Sequence, residues 1–327
     1  MTAADSRDME ARLRVALQYT TGDDEADRAL RGSLLAGIVG NDPELLNVFV
    51  EEAGPEQAEF DVHLDGPGVE NNATSAKSFS AFVAGLSEAV KETAKHRAGK
   101  GRYSEGLLIE GATPGSVRVV LRAPTPKIDP TQQVDNITTA SSVDSDALRS
   151  IAAILSHASD PDVDSPLVAE IADLPKGARK GLRRAIRSSR QAGWTIDGTV
   201  RQRRVGLSTV ALTPNGATRL ELELDSRVDS QKSETMIGTI DGFRRSIGTL
   251  YFIPEGRPPI SAAVLDNTLA IQVAQLAAQE GATVRAIFNV VESRLPGDPG
   301  VSRQSRSLIS IRSLERGDQT ELSVDTG

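Results

Sequence analysis

Apolar residues recur at helical spacing through residues 5–52. Met9, Leu13, Ala16 and Leu17 make one stripe, and Leu30, Leu34, Leu35 and Ile38 make another. Gly22-Asp23-Asp24 and Gly40-Asn41-Asp42-Pro43 break the pattern. Glu44–Glu52 fits a helix or a strand. The period then changes to two: Phe60, Val62 and Leu64 alternate with Asp61, His63 and Asp65, which predicts a half-buried strand ended by Gly66-Pro67-Gly68. Ser75–His96 returns to helical spacing through Phe79, Phe82, Val83, Leu86, Val90 and Ala94. Gly106–Glu110 and Ser116–Arg122 read as strands joined by a type II turn at Thr113-Pro114-Gly115. Residues 55–123 therefore predict a β-α-β-β module, one small sheet covered by one helix, expected to fold alone.

Residues 124–145 carry Pro124, Pro126 and Pro130 and few apolar positions, the composition of a linker. Asp144–His157, Pro166–Leu174 and Lys176–Gly193 follow as three helices. Gly198–Thr213 and Thr218–Asp225 read as strands of a hairpin turned at Pro214-Asn215-Gly216, because Leu220, Leu222 and Leu224 alternate with acids. Across Glu234–Leu314 the predicted order is strand, strand, strand, helix, strand, strand. The fold class is α+β, divided at 1–54, 55–123, a linker at 124–145, 146–228 and 234–314, with a polar tail at 315–327.

Charge adds one concentrated feature. Between Lys176 and Arg204 lie Lys176, Arg179, Lys180, Arg183, Arg184, Arg187, Arg190, Arg201, Arg203 and Arg204, with Asp197 as the only acid. That segment is +9 in a chain of net −8, so the remainder sums to −17. On a helical wheel the seven cations from Lys176 to Arg190 fall within an arc of roughly 140°, opposite Leu174, Ala178, Leu182, Ala185, Ile186 and Ala192. The pattern predicts one face packed on a core and one positive face, with Gly193 as the left-handed cap and Trp194 folding back. Asn41–Glu70 is the mirror image, −9 with no Lys or Arg, and the two segments are suited to dock within one chain or between two.

Three helices followed by a hairpin resemble, in order alone, a winged helix-turn-helix, which would put the basic third helix against nucleic acid and Arg201, Arg203 and Arg204 on a wing. The C-terminal order resembles that of an OB-fold barrel, which implies a surface for single strands built from aromatics and cations. Tyr251, Phe252, Phe243 and Phe288 are the aromatics there, and Arg244, Arg245, Arg257, Arg285, Arg294, Arg303 and Arg306 supply charge.

The chemistry of catalysis is missing from the sequence pattern. With no cysteine there is no thiolate ligand or Cys nucleophile. His63, His96 and His157 are isolated. Asp160, Asp162 and Asp164 begin like a calcium loop, but Ser165 and Ile171 occupy the positions that need Gly and Glu. Gly99-Lys100-Gly101 lacks the rest of a phosphate loop. No cofactor or metal is expected. No run nears the roughly 18 apolar residues of a membrane span, and the polar start predicts a cytoplasmic protein. The expectation is a non-enzymatic binding protein, associated with nucleic acid or another polyanion through the basic helix. The alternative is an interaction module of adaptor or immunity type, docking acidic protein surfaces or a second copy of itself.

Overall fold

The computed structural model describes residues 3–20, 25–40, 42–99, 106–109, 117–126, 142–160, 165–245, 248–279, 281–294 and 302–314. The proposed turn at residues 113–115, most of the linker, Asp162 and Asp164, and the tail lie outside them. The elements in chain order are α1 (Ala3–Gln18), α2 (Glu25–Leu34) continued by a π-helical turn (Leu35–Val39), α3 (Pro43–Ala53), β1 (Glu59–Asp65), β2 (Val69–Glu70), β3 (Ala73–Thr74), α4 (Ala76–Ala98), β4 (Leu108–Ile109), β5 (Val117–Arg122), α5 (Val143–Ser159), α6 (Leu167–Asp173), α7 (Lys176–Ala192), β6 (Thr195–Gln202), β7 (Gly206–Leu212), α8 (Pro214–Leu224), β8 (Arg227–Arg244), β9 (Thr249–Pro254), β10 (Ile260–Ala263), α9 (Asn267–Ala277), β11 (Thr283–Arg294) and β12 (Ser302–Ser313). The fold is α+β, with two compact units: Met1–Ala152 with Lys180–Thr213, and Ala153–Arg179 with Pro214–Gly327.

The first unit is built on a five-stranded sheet in the order β4-β5-β1-β6-β7. Strand β1 is central and antiparallel to both neighbours, with Phe60 opposite Leu121 and Val200. Phe60, Val62 and Leu64 are buried, as the alternation predicts. The β-α-β-β module at 55–123 is therefore not closed by itself. Its β1 edge is completed by β6, more than a hundred residues later, and a fragment ending at 123 would leave that edge open. Asp61, on the other face, accepts from Arg118 Nε at 2.6 Å. That guanidinium holds the Asp61 carboxyl below its ordinary value of 3.8, against the opposing pull of burial.

The segment Glu44–Glu52 is settled as helix by its start. Asp42 Oδ1 accepts from the N–H groups of Glu44 at 2.9 Å and Leu45 at 3.1 Å, and Pro43 occupies the first turn. Leu45 and Val48 pack with Leu13 and Leu17 of α1.

Two elements of the central segment differ from expectation. The hairpin is β6–β7, turned at Arg203–Val205, where Arg204 takes φ 65°. The expected turn Pro214-Asn215-Gly216 and second hairpin strand Thr218–Asp225 instead fall in α8, Pro214–Leu224. Leu220 and Leu224 are buried and Leu222 is exposed, so the spacing of four, common to both periods, belonged to a helix. Because β6 pairs with the central strand β1, the β6–β7 hairpin is part of the five-stranded sheet and not a wing, and the winged-helix order does not become a winged helix.

The second unit contains a closed barrel in the order β10-β12-β11-β8-β9. Its five strands in chain sequence therefore pair first with second, second with third, third with fifth, fifth with fourth, and fourth with first. The third-to-fifth contact, Ala263 opposite Ser307, is parallel. That is the OB-type topology the element order implied. Phe252 and Phe288 meet at 5.4 Å in the core, with Leu250, Val284, Val290 and Ile311 around them. Strand β12 also packs against α6.

Candidate anion-binding site

The basic helix α7 is positioned by its apolar face. Ala178, Leu182, Ala185 and Ile186 are fully buried. Its partner is α4, and the two cross at backbone contact. A Cβ on Gly85 would lie 2.7 Å from Ala185 N and Gly181 O, and one on Gly181 would lie 2.8 Å from Ala89 N. Each helix thus presents a Gly-x-x-x-Ala stripe to the other, Gly85/Ala89 against Gly181/Ala185. Further along, Ser188 Oγ donates to Ser78 O at 2.8 Å. Residue 78 facing 188 and residue 85 facing 181 and 185 make the pair antiparallel.

The C-terminal end of α7 is fixed as well. Gly193 adopts φ 68°, the left-handed cap. The Gly66-Pro67-Gly68 connection lies against it: a Cβ on Gly68 would meet Ala192 O at 2.0 Å. Trp194 folds back fully buried, edge-on to Phe82 at 5.8 Å, with its indole N–H donating to Thr74 Oγ1 at 3.1 Å.

Between α4 and the exposed side of α7 is an open cleft of about 450 Å³. Helix α7 contributes Lys180, Arg183, Arg184, Arg187, Ser188 and Gln191, and the first turns of α4 contribute Lys77, Ser78 and Ala81. Arg184 is shared with Glu88, at 2.8 Å. Ser75 caps α4 by accepting from Ser78 N at 3.3 Å. The positive end of a 23-residue helix therefore borders the cleft. A second cleft, of about 440 Å³, is lined by Glu10, Arg14, Pro43, Glu44, Asn47 and Val48; Arg14 is tied to Glu51 at 3.0 Å and Glu52 at 2.5 Å.

The ten cations singled out in the sequence are divided among several places. Lys180, Arg183, Arg184 and Arg187 meet in the cleft. Lys176 and Arg190 lie on α7 outside its lining, at the first and last turns. Arg179 donates to Ser226 O at 3.1 Å and Leu224 O at 3.4 Å. Arg201 donates through Nε to Glu59 Oε1 at 2.8 Å, directly across the β1–β6 register. Arg203 holds Gly54 O at 3.1 Å and Glu56 at 3.8 Å, and Arg204 N donates to Glu51 O at 2.7 Å. The +9 and −9 stretches thus meet within one chain, along β6 and its turn. Lys77 was missed in the sequence, since nothing local marks a lysine in the first turn of a helix. The small-residue spacing on both helices is the signal that would have paired them.

On the barrel, Phe252 and Phe288 are core and Phe243 packs against that core, while Tyr251 is half-buried and its ring lies 4.0 Å from a Cβ placed on Gly242. Arg257 pairs with Glu234 at 2.5 Å and Arg303 with Glu223 at 2.6 Å. Among the described residues no group of three or more His, Asp or Glu is placed to hold a metal, and no helix is long and apolar enough to cross a membrane. Comparison with known protein families, with characterised proteins and with solved structures finds no match to this chain.

Proposed function

We propose that this is a binding protein whose ligand is anionic, a nucleic acid or another polyanion, held in the cleft between α4 and α7. The observation that supports the reading is convergence: four cations of α7 and Lys77 of α4, from separate parts of the sequence, line one cavity. Neighbouring like charges on a helix cost a few tenths of a kcal/mol per i,i+4 pair. An anion between them offsets that cost. The cytoplasm, where such ligands are concentrated, is the compartment that fits.

The test is fluorescence anisotropy of labelled single- and double-stranded oligonucleotides across a salt series. Phosphate contacts release counterions, giving a log–log slope of about −0.9 per contact on duplex and −0.7 on single strands. Replacing Arg183 and Arg187 by Gln should flatten the slope by about 1.4 to 1.8 if both touch phosphate. No binding at low salt by the folded protein would sink the reading.

A second reading, docking of a protein partner, is favoured by exposed apolar residues of the N-terminal segment: Val15 on α1, Tyr19 just after it, Leu30 on α2, and Leu35 and Ile38 on the π-helical turn. Sedimentation at increasing concentration tests self-association, and a monomer throughout removes the second-copy form of that reading.

A further inference from the structure

We infer that the α4–α7 cleft recognises a compact phosphoryl group, meaning the terminal phosphate or short phosphate chain of a nucleotide or of a strand end, and not a track of backbone phosphates. This rests on the anion-binding reading above and names its ligand chemistry.

The first argument is confinement. Of the other cations in the stretch, Arg179 is engaged by the Leu224 and Ser226 carbonyls, Arg201 by Glu59, and Arg203 by Gly54 O and Glu56, while Lys176 and Arg190 stand at the ends of α7 outside the cleft lining. The α7 cations that line the cleft run only from Lys180 to Arg187, about 10 Å along a helix that rises 1.5 Å per residue. A protein that tracks duplex DNA commonly contacts about 6 to 10 phosphates. This row of side chains is too short for that.

The second argument is composition. Among the described residues the lining has Lys, Arg, Ser, Gln and Ala and no aromatic side chain. Unpaired bases are commonly held by stacking on aromatic rings, worth about 1–3 kcal/mol per base, and the cleft lacks that platform. It has what a phosphate needs. Arginine forks match phosphate oxygens two at a time, and lysines add point charge. The first turn of α4, at Lys77 and Ser78, adds the favourable end of a helix dipole. Lys77, Lys180, Arg183 and Arg187, with Arg184 shared with Glu88, suit a phosphomonoester of about −1.5 to −2 or a short chain of them.

The experiment uses the full chain, in low salt without divalent metal. Inorganic tripolyphosphate is titrated by calorimetry, and one single-stranded oligonucleotide is compared in 5′-triphosphate, 5′-phosphate and 5′-hydroxyl forms. The expected result is one equivalent of tripolyphosphate bound, competition with the labelled strand, and binding of the 5′-triphosphate form about tenfold or more tighter than the 5′-hydroxyl form. Lys180→Gln with Arg187→Gln, both exposed side chains, should weaken tripolyphosphate binding about tenfold or more with the circular dichroism unchanged. Arg183→Gln with Arg187→Gln is the second variant. ATP binding as well as tripolyphosphate, and better than the phosphorylated strand, identifies a free nucleotide; the reverse order identifies a strand end. Binding that ignores the strand's end, grows with its length and is not displaced by tripolyphosphate overturns this inference and leaves the anion-binding reading intact. Tripolyphosphate binding untouched by both double variants overturns it too, by moving the site. No binding of any probe removes both.

Discussion

The close crossing of α4 and α7 makes a stability measurement with a defined sign. In an exposed helix interior, Gly→Ala is stabilising by up to about 1 kcal/mol, because alanine has the higher helix propensity. Gly32 of α2 is such a site, since nothing lies within 4 Å of a Cβ placed there. Gly85 is the opposite case. An alanine Cβ would sit 2.7 Å from two backbone atoms and 2.9 Å from Ala185 Cβ. Ordinary contacts are about 3.5–4.0 Å, so the helices must part by roughly 1 Å. Overpacking of this kind costs about 1–3 kcal/mol. Set against the propensity gain, Gly85→Ala should be destabilising by about 0.5–2 kcal/mol, and Gly181→Ala similarly, with Gly85 O at 2.9 Å from its Cβ. The double variant should cost less than the sum, because once the helices have parted the second methyl finds room. Trp194, the only tryptophan, is fully buried beside this crossing and reports unfolding in urea by its fluorescence. Parting the helices also moves Lys77 and Ser78 from the α7 cations, so anion affinity should fall with every cation still present. Gly85→Ala as stabilising as Gly32→Ala would refute the backbone contact and the cleft built on it.

Thr74→Val removes the acceptor of the buried Trp194 indole N–H and should cost about 1–3 kcal/mol in the same urea titration. The Asp61–Arg118 pair gives a pH dependence. Asp61's folded pKa is lowered, so its contribution is complete above the ordinary carboxylate value and is lost as pH falls through the lower folded one. Arg118→Gln should therefore lose stability at neutral pH and show a shallower further loss below about pH 4, measured by urea midpoints across pH 3–7. Glu88→Gln releases Arg184 into the cleft and should tighten anion binding, steepening the salt slope by about 0.7–0.9 on oligonucleotides if Arg184 then reaches a phosphate. Its effect on stability should be near zero, since the pair is substantially exposed.

Local elements were legible wherever one period was available. The barrel could be read because its strands, its α9 and their order are set by local alternation and by turns. The helical wheel of α7 placed Lys180, Arg183, Arg184 and Arg187 on one face. Two misreadings have physical causes. In Thr218–Asp225, leucines at 220 and 224 satisfy both periods, and Pro214-Asn215-Gly216 looks like a turn. Yet Pro214 opens α8, and Gly216 is required because a Cβ there would lie 2.4 Å from Ser159 Oγ. The pairing of β1 with β6 has no local signal at all, since Phe60 and Val200 are each ordinary strand residues. The cleft was half legible for the same reason: α7 announces its charge, whereas Lys77 joins it only through the Gly85–Gly181 crossing.

The helix and strand parts of the basic stretch differ in what their charges do, and the kind of element decides it. On the β6 strand, side chains alternate across a sheet whose central strand already carries acids, so Arg201 finds Glu59 directly opposite. The turn after β6 falls against the end of α3, where Gly54 O and Glu56 take the Arg203 guanidinium and Glu51 O accepts from the Arg204 backbone N–H. On α7 the register is helical, and at the crossing α4 presents Gly85 and Ala89, with Glu88 beside Arg184. The strand's Arg201 is thus matched within the sheet, while four of the seven α7 cations are gathered at a cleft. A positive site can persist in an acidic chain because charges more than about 8 Å away are largely screened at physiological salt. The nearest side chains then set the field a ligand meets. Net charge is therefore a poor guide to this molecule's partners, and the lining of one cleft a better one.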